Sequence, residues 1–200
     1  MFDVSDAAIA APHLAVTPTG IPNRKLGVWL FLVSEVMFFT ALIGAYIVLR
    51  LGNPDWPVPS TVLNIPLTGL NTFFLVCSSV TLVLGFAAAQ DGRKPAMCRW
   101  LLATVLLGSL FLCIQAFEYR KLIHEGFTPS ASIFGSCFFT LTGFHGLHVL
   151  GGVIWLIVVT LKAFAGVYDH GRHEGIELAG LYWHFVDLVW IILFTIVYLI

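Results

Sequence analysis

Charge is what this sequence has least of: Asp, Glu, Lys and Arg make up 10% of its 200 residues, where water-soluble globular chains carry roughly 25%. So few charges cannot clothe a globular surface in water. With 58% hydrophobic residues and a mean hydropathy of +0.93, the solvent of this chain is lipid. The net charge of -1 supplies no basic field to hold nucleic acid, and no run of like charge forms a tail. Cysteine is sparse as well. Cys77, Cys98, Cys113 and Cys137 stand in or beside apolar stretches with no Cys-x-x-Cys pair, which argues against disulfides or thiolate ligands and for small packing residues. There is no repeat at a fixed period and no low-complexity tract. Met1 to Pro22 lacks a basic start followed by an apolar run, so no cleavable signal peptide is expected, and this stretch reads as a loose arm in solvent.

What the chain does have is five apolar runs, over about 27–49, 65–89, 97–117, 133–164 and 178–200. Each is long enough, at about 1.5 Å per residue, to cross a hydrocarbon core of about 30 Å. They predict an all-α fold, an integral membrane bundle of five transmembrane helices over residues 27–200, preceded by an amino-terminal arm over residues 1–26. The fourth run exceeds what the membrane needs and should tilt, or project at its Lys162 end. Between the first runs lie Gly52-Asn53-Pro54-Asp55-Trp56-Pro57-Val58-Pro59 and Asp91-Gly92-Arg93-Lys94-Pro95, dense in turn formers that stop a helix. The charged connections from Tyr119 to Ser132 and from Gly166 to Ile176 are likewise read as lying outside lipid. Arg24, Lys25, Arg93, Lys94, Arg99, Lys162 and Arg172 fall on the amino-terminal side of these spans, and only Arg50, Arg120 and Lys121 on the other. The positive-inside rule therefore predicts a cytoplasmic amino terminus.

An ionisable side chain within a span must be paired, neutral or wet, so such residues are the candidates for function. Glu35 lies in the first span among apolar neighbours, either as a structural acid bonded to a neighbouring helix or as a proton-relay or lipid-contact residue. His145 and His148 are three apart in the fourth span and share one side of a helix. In the fifth, His184 and Asp187 have the same spacing, which would let the carboxylate orient the imidazole. Joined with Glu35 these histidines could make a metal site; the nearby Gly143, Gly146, Gly151 and Gly152 favour close helix packing with hydrogen-bonded core histidines instead. Glu118, Arg120 and Lys121 read as an interfacial charge cluster. Trp29, Trp56, Trp100 and Tyr119 suit the headgroup region, while Trp155, Trp183 and Trp190 read as core. His170, Arg172 and His173 could hold a lipid phosphate or form an ordinary basic loop.

Three segments in order carry a resemblance: Gly27-Val28-Trp29-Leu30-Phe31-Leu32-Val33-Ser34-Glu35-Val36-Met37-Phe38-Phe39, Thr142-Gly143-Phe144-His145-Gly146-Leu147-His148-Val149 and Tyr182-Trp183-His184-Phe185-Val186-Asp187-Leu188-Val189-Trp190. Together they resemble subunit III of the heme–copper oxidases, the cytochrome c and quinol oxidases, over about Asn23 to Ile200. Relative to the seven-helix members this chain lacks the first two helices, like the five-helix bacterial form, and a partner would have to complete the lipid cleft. The resemblance implies a non-catalytic subunit of a respiratory terminal oxidase, in the bacterial cytoplasmic membrane, that reduces oxygen to water and pumps protons. It implies hemes and copper in partner subunits and none in this chain, direct packing on subunit I alongside subunit II and others, bound phospholipid, and support of proton uptake. Glu35 matches the family's buried glutamate, and His173, beside Arg172, falls at a lipid-headgroup contact. His145, His148, His184 and Asp187 match signature positions whose implied role is helix packing; no catalytic residue and no metal ligand carries over. A nitric-oxide-reductase-associated relative, a stand-alone transporter and a membrane metalloenzyme stay open as alternatives, and would differ in what co-purifies, in flux and in bound metal.

Overall fold

A computed structural model describes residues 22–168 and 173–200. Most of the predicted arm, 1–21, lies outside them. Six α-helices follow in chain order: α1 (Asn23–Leu51), a single turn α2 (Pro59–Val62), α3 (Ile65–Gln90), α4 (Lys94–His124), α5 (Ile133–Phe164) and α6 (Glu174–Phe194), which continues as a π-helical turn, Thr195–Leu199. Among the described residues there is no strand. Five of these helices, all but α2, are long and apolar enough to cross a membrane.

Local chemistry sets where the helices start and stop. Asn64 Oδ1 accepts from Leu67 N (3.2 Å) at the start of α3, and Ser132 Oγ accepts from Gly135 N (2.9 Å) at the start of α5, each satisfying an amide that the helix leaves open. After α3, α4 and α5 the chain turns on Gly92, Gly126 and Gly166, all at positive φ. The next amide reaches back to a carbonyl of the last turn, Arg93 to Ala88, Phe127 to Leu122 and Val167 to Lys162, which is a Schellman termination in each case. Several boundaries differ from the sequence expectation: α1 opens at Asn23, inside the expected arm, and α4 at Lys94 and α6 at Glu174, inside the expected connections. The α4 helix runs on past Phe117 to His124, because Glu118 is buried against a neighbour and Lys121 and His124 suit the negative end of the helix dipole. Pro59, expected to belong to a connection, opens α2, where a first-turn proline loses no hydrogen bond.

Four helices, α3 to α6, pack as a closed bundle, and α1 lies outside it against α5 and α6. The α6 helix is central. Its Ile176, Ala179, Trp183, Val186, Trp190, Leu193 and Val197 are all buried, spaced alternately three and four residues, which is the spacing of a coiled-coil seam. Trp183 sits in a notch made by two glycines of facing helices. A Cβ on Gly108 of α4 or Gly152 of α5 would lie 2.7 Å from its ring. Its Nε1 donates to Ser78 Oγ of α3 (2.8 Å), so one side chain ties all four helices together.

The seam of α1 is narrower. Val28, Leu32, Glu35, Phe39, Leu42 and Tyr46 repeat at the same spacing, yet only Leu32, Phe39 and Tyr46 are buried. Polar ties hold this helix at both ends and in the middle. Near its start Lys25 Nζ meets Glu177 Oε1 at 2.5 Å, with Arg24 3.9 Å from Glu174. Near its end Arg50 donates to the backbone carbonyls of Ile196 (3.5 Å) and Ile200. The middle tie is Glu35.

Candidate functional site

Glu35 is the one carboxyl group in the α1 seam, twelve positions from the helix start, and it points at His148, near the centre of α5. Glu35 Oε2 and His148 Nε2 are 2.9 Å apart, and the side chains are 15% and 18% exposed, so the pair is partly closed. The proton arrangement follows from the other ring nitrogen. Nδ1 lies 2.7 Å from the Phe144 carbonyl, which can only accept, so Nδ1 carries a hydrogen. Nε2 and the carboxyl then share one proton, as imidazolium with carboxylate or imidazole with carboxylic acid. Either form is neutral as a whole, which is the condition for holding ionisable groups at this depth. Phe39 and Phe38 flank the ring at 5.1 and 6.1 Å, and Phe144 packs edge-on to Phe38. Tyr182 of α6 donates to the His148 carbonyl at 2.9 Å.

A second polar centre joins α3 to α6. Ser79 Oγ lies 2.9 Å from His184 Nδ1 and donates to Asp187 Oδ2. The carboxylate therefore does not touch the imidazole directly, as the spacing had led us to expect; a serine from another helix stands between them. Asp187 is buried and its Oδ1 has no partner among the described residues, whereas His184 is exposed on the outer face of the bundle.

The remaining candidates separate. His145 is fully buried, donates from Nε2 to the Val186 carbonyl (3.2 Å) and lies 4.7 Å from the ring of Trp190. It thus serves α6 while His148, one turn on, serves α1. Glu118, within two turns of the end of α4, is buried and accepts from Thr68 of α3 at 2.9 Å, while Lys121 lies 3.8 Å from Glu125. Arg172 lies outside the described residues. His173 stands at the N-cap position of α6 with its Nδ1 buried and without a partner among the described residues, edge-on to Phe86 at 6.3 Å. Beside it Tyr168 packs on Gly175, and burial pushes the Tyr168 phenol up from its ordinary value. Among the described residues no three His, Cys, Asp or Glu side chains converge as metal ligands would: Glu35 meets His148, His145 meets the Val186 carbonyl, and His184 and Asp187 share Ser79. Ser79, Thr68 and Tyr182, which the sequence reading did not single out, complete these centres.

The described geometry can be set beside known proteins. The family profile described as cytochrome c oxidase subunit III matches residues 3–200. A probable cytochrome c oxidase subunit 3 of Nocardia farcinica is 38% identical over 197 residues, covering 96% of this chain and 97% of that protein. Cytochrome c oxidase subunit 3 of Corynebacterium diphtheriae is 38% identical over 201 residues, covering 98% of both. Cytochrome bo(3) ubiquinol oxidase subunit 3 of Pseudomonas aeruginosa is 36% identical over 177 residues, covering 88% of this chain and 85% of that protein.

Proposed function

This chain belongs to the cytochrome c oxidase subunit III family and is a multi-pass membrane subunit of a terminal oxidase complex, and from that premise we propose that it stabilises the catalytic subunit I, binds lipid and supports proton uptake. The observation that carries the reading is the Glu35–His148 pair. It is a shared proton at mid-membrane depth, neutral in both of its forms, and only partly closed from its surroundings. Such a pair can exchange its proton for another without leaving a net charge in lipid, which is what a proton relay or a sensor of lipid hydration requires.

Hemes and copper belong in this reading to partner chains. Subunit I is the direct partner, subunit II and further subunits complete the complex, and the bacterial cytoplasmic membrane is its location, with the amino terminus in the cytoplasm. The chain itself contributes no redox step. Its polar side chains bind, orient and hold protons. Bound phospholipid fits the start of α6, where Arg24, Lys25 and His173 gather beside Arg172 in sequence; Glu174 and Glu177 neutralise part of that charge.

Purification in mild detergent tests the reading. A tagged chain should bring down the hemes and copper of an oxidase in fixed ratio. Glu35→Ala should leave that heme content unchanged while shortening the active lifetime of the complex during turnover. Loss of heme in that variant would contradict an accessory role, and recovery of the chain with a different catalytic partner would redirect the assignment.

A further inference from the structure

Resting on the reading of this chain as an oxidase subunit, we infer that the outer face of α3 and α6, centred on His184, is where a transmembrane helix of the catalytic subunit packs, and that this helix brings a hydrogen-bond donor to His184 Nε2. The argument begins from proton counting. Ser79 Oγ has one hydrogen and gives it to Oδ2 of the Asp187 carboxyl group. It can therefore only accept from His184, whose Nδ1 must be the protonated nitrogen. The lone pair is left on Nε2, which meets no partner among the described residues.

That lone pair stands in the wrong solvent. His184 lies near the middle of α6, ten residues from its start and fifteen from the end of the π turn, and Ser79 is similarly central in α3. At this depth a lipid offers only hydrocarbon, which cannot donate a hydrogen bond, and headgroups are out of reach. Intramembrane histidines face a bundle interior or a wet cavity, and this one faces outward in the chain taken alone. The interior it belongs to is completed by another chain.

The surrounding surface suits a helix. Val76, Val80 and Val83 are exposed along α3, and Leu188 and Ile191 along α6. The valines have little rotamer freedom to lose in a helix, so packing a second helix against them costs little side-chain entropy. The exposed side of α1 is different. Leu30, Met37, Val48 and Leu51 make it apolar, and between residues 27 and 49 it exposes no charged or imidazole side chain, as a face turned to lipid would be.

Photocrosslinking in native membranes, with the complete oxidase present, decides the matter. The photoreactive residue p-benzoylphenylalanine is placed at position 188 in one preparation and, as a control, at position 37 of α1. Position 188 should form an adduct with a helix of the catalytic subunit, identified by mass spectrometry, and position 37 should not. Alongside, His184→Phe should lower the heme recovered with the tagged chain about tenfold, the scale of one lost intramembrane hydrogen bond with its packing. His184→Gln, which restores an acceptor, should recover most of it. Adducts of position 188 with lipid only, or with a second copy of this chain, would overturn the inference, as would equal heme recovery in His184→Phe and the unmodified chain. Failure of the unmodified chain to bring down heme would instead refute the oxidase reading beneath it.

Discussion

A Cβ on Gly152 would lie 2.7 Å from the ring of Trp183, a side chain that is fully buried and hydrogen-bonded at its far edge to Ser78. The ring has nowhere to go. Gly152→Val should therefore destabilise the bundle by about 1–3 kcal/mol, the usual cost of overpacking a core, read as a lowered midpoint in thermal or denaturant unfolding in detergent. Gly44 is the control, since nothing lies within 4 Å of a Cβ there. An unchanged midpoint in Gly152→Val would mean that Trp183 is not held as described. Glycines clustered in a span are legible in sequence as close packing, but the sequence does not say which tryptophan fills the notch. The same holds for the polar centres. The three-residue spacing of His145 and His148 shows that they share a side of α5, not that one serves α6 and the other α1. Glu35 finds His148 across 113 positions, and Ser79, the second of two serines in an apolar run, carries no local mark at all.

At the scale of the element, α1 is the helix with least packing and most polar anchoring. Two of its ties sit at its ends, where they are half-exposed and individually worth little, about 0–1 kcal/mol; the third, at Glu35, is shielded. Lys25→Glu would set like charge against Glu177. Amide hydrogen exchange should then rise in the first turns of α1 while the middle, held by His148, keeps its protection. Uniform loosening along the whole helix would show that the Glu35 tie does not act independently. The presence and class of the five long helices were readable from runs of apolar residues, since each run lies within one helix apart from Ile200. Less readable were the ends. Glu118 looks like a stop because a carboxylate usually marks the edge of lipid, and only the Thr68 hydroxyl on α3 explains why α4 continues past it. The π turn over Thr195–Leu199 was invisible for another reason: its side chains are as apolar as those before it, and no residue type announces a wider backbone spacing.

The whole molecule combines a closed core of four helices with a fifth held outside it, and two polar centres that join different helix pairs. The centre on α1 and α5 is complete within the chain. That on α3 and α6 ends in an imidazole nitrogen with no partner among the described residues, which is a property of a piece of an assembly rather than of a finished object.

One feature of this arrangement plays out in time. Translation makes α1 first and the helices it rests on, α5 and α6, last. At roughly 5–20 residues per second, the 113 positions between Glu35 and His148 take roughly 6–20 s to synthesise. For that interval the first helix waits in or beside the bilayer with a carboxyl whose counterpart does not yet exist. Nascent chains arrested before residue 148 should accordingly keep α1 in contact with the insertion machinery, detectable by crosslinking, and chains released after residue 200 should not. Early departure of α1 in the arrested chains would show that it enters lipid without waiting for its partner.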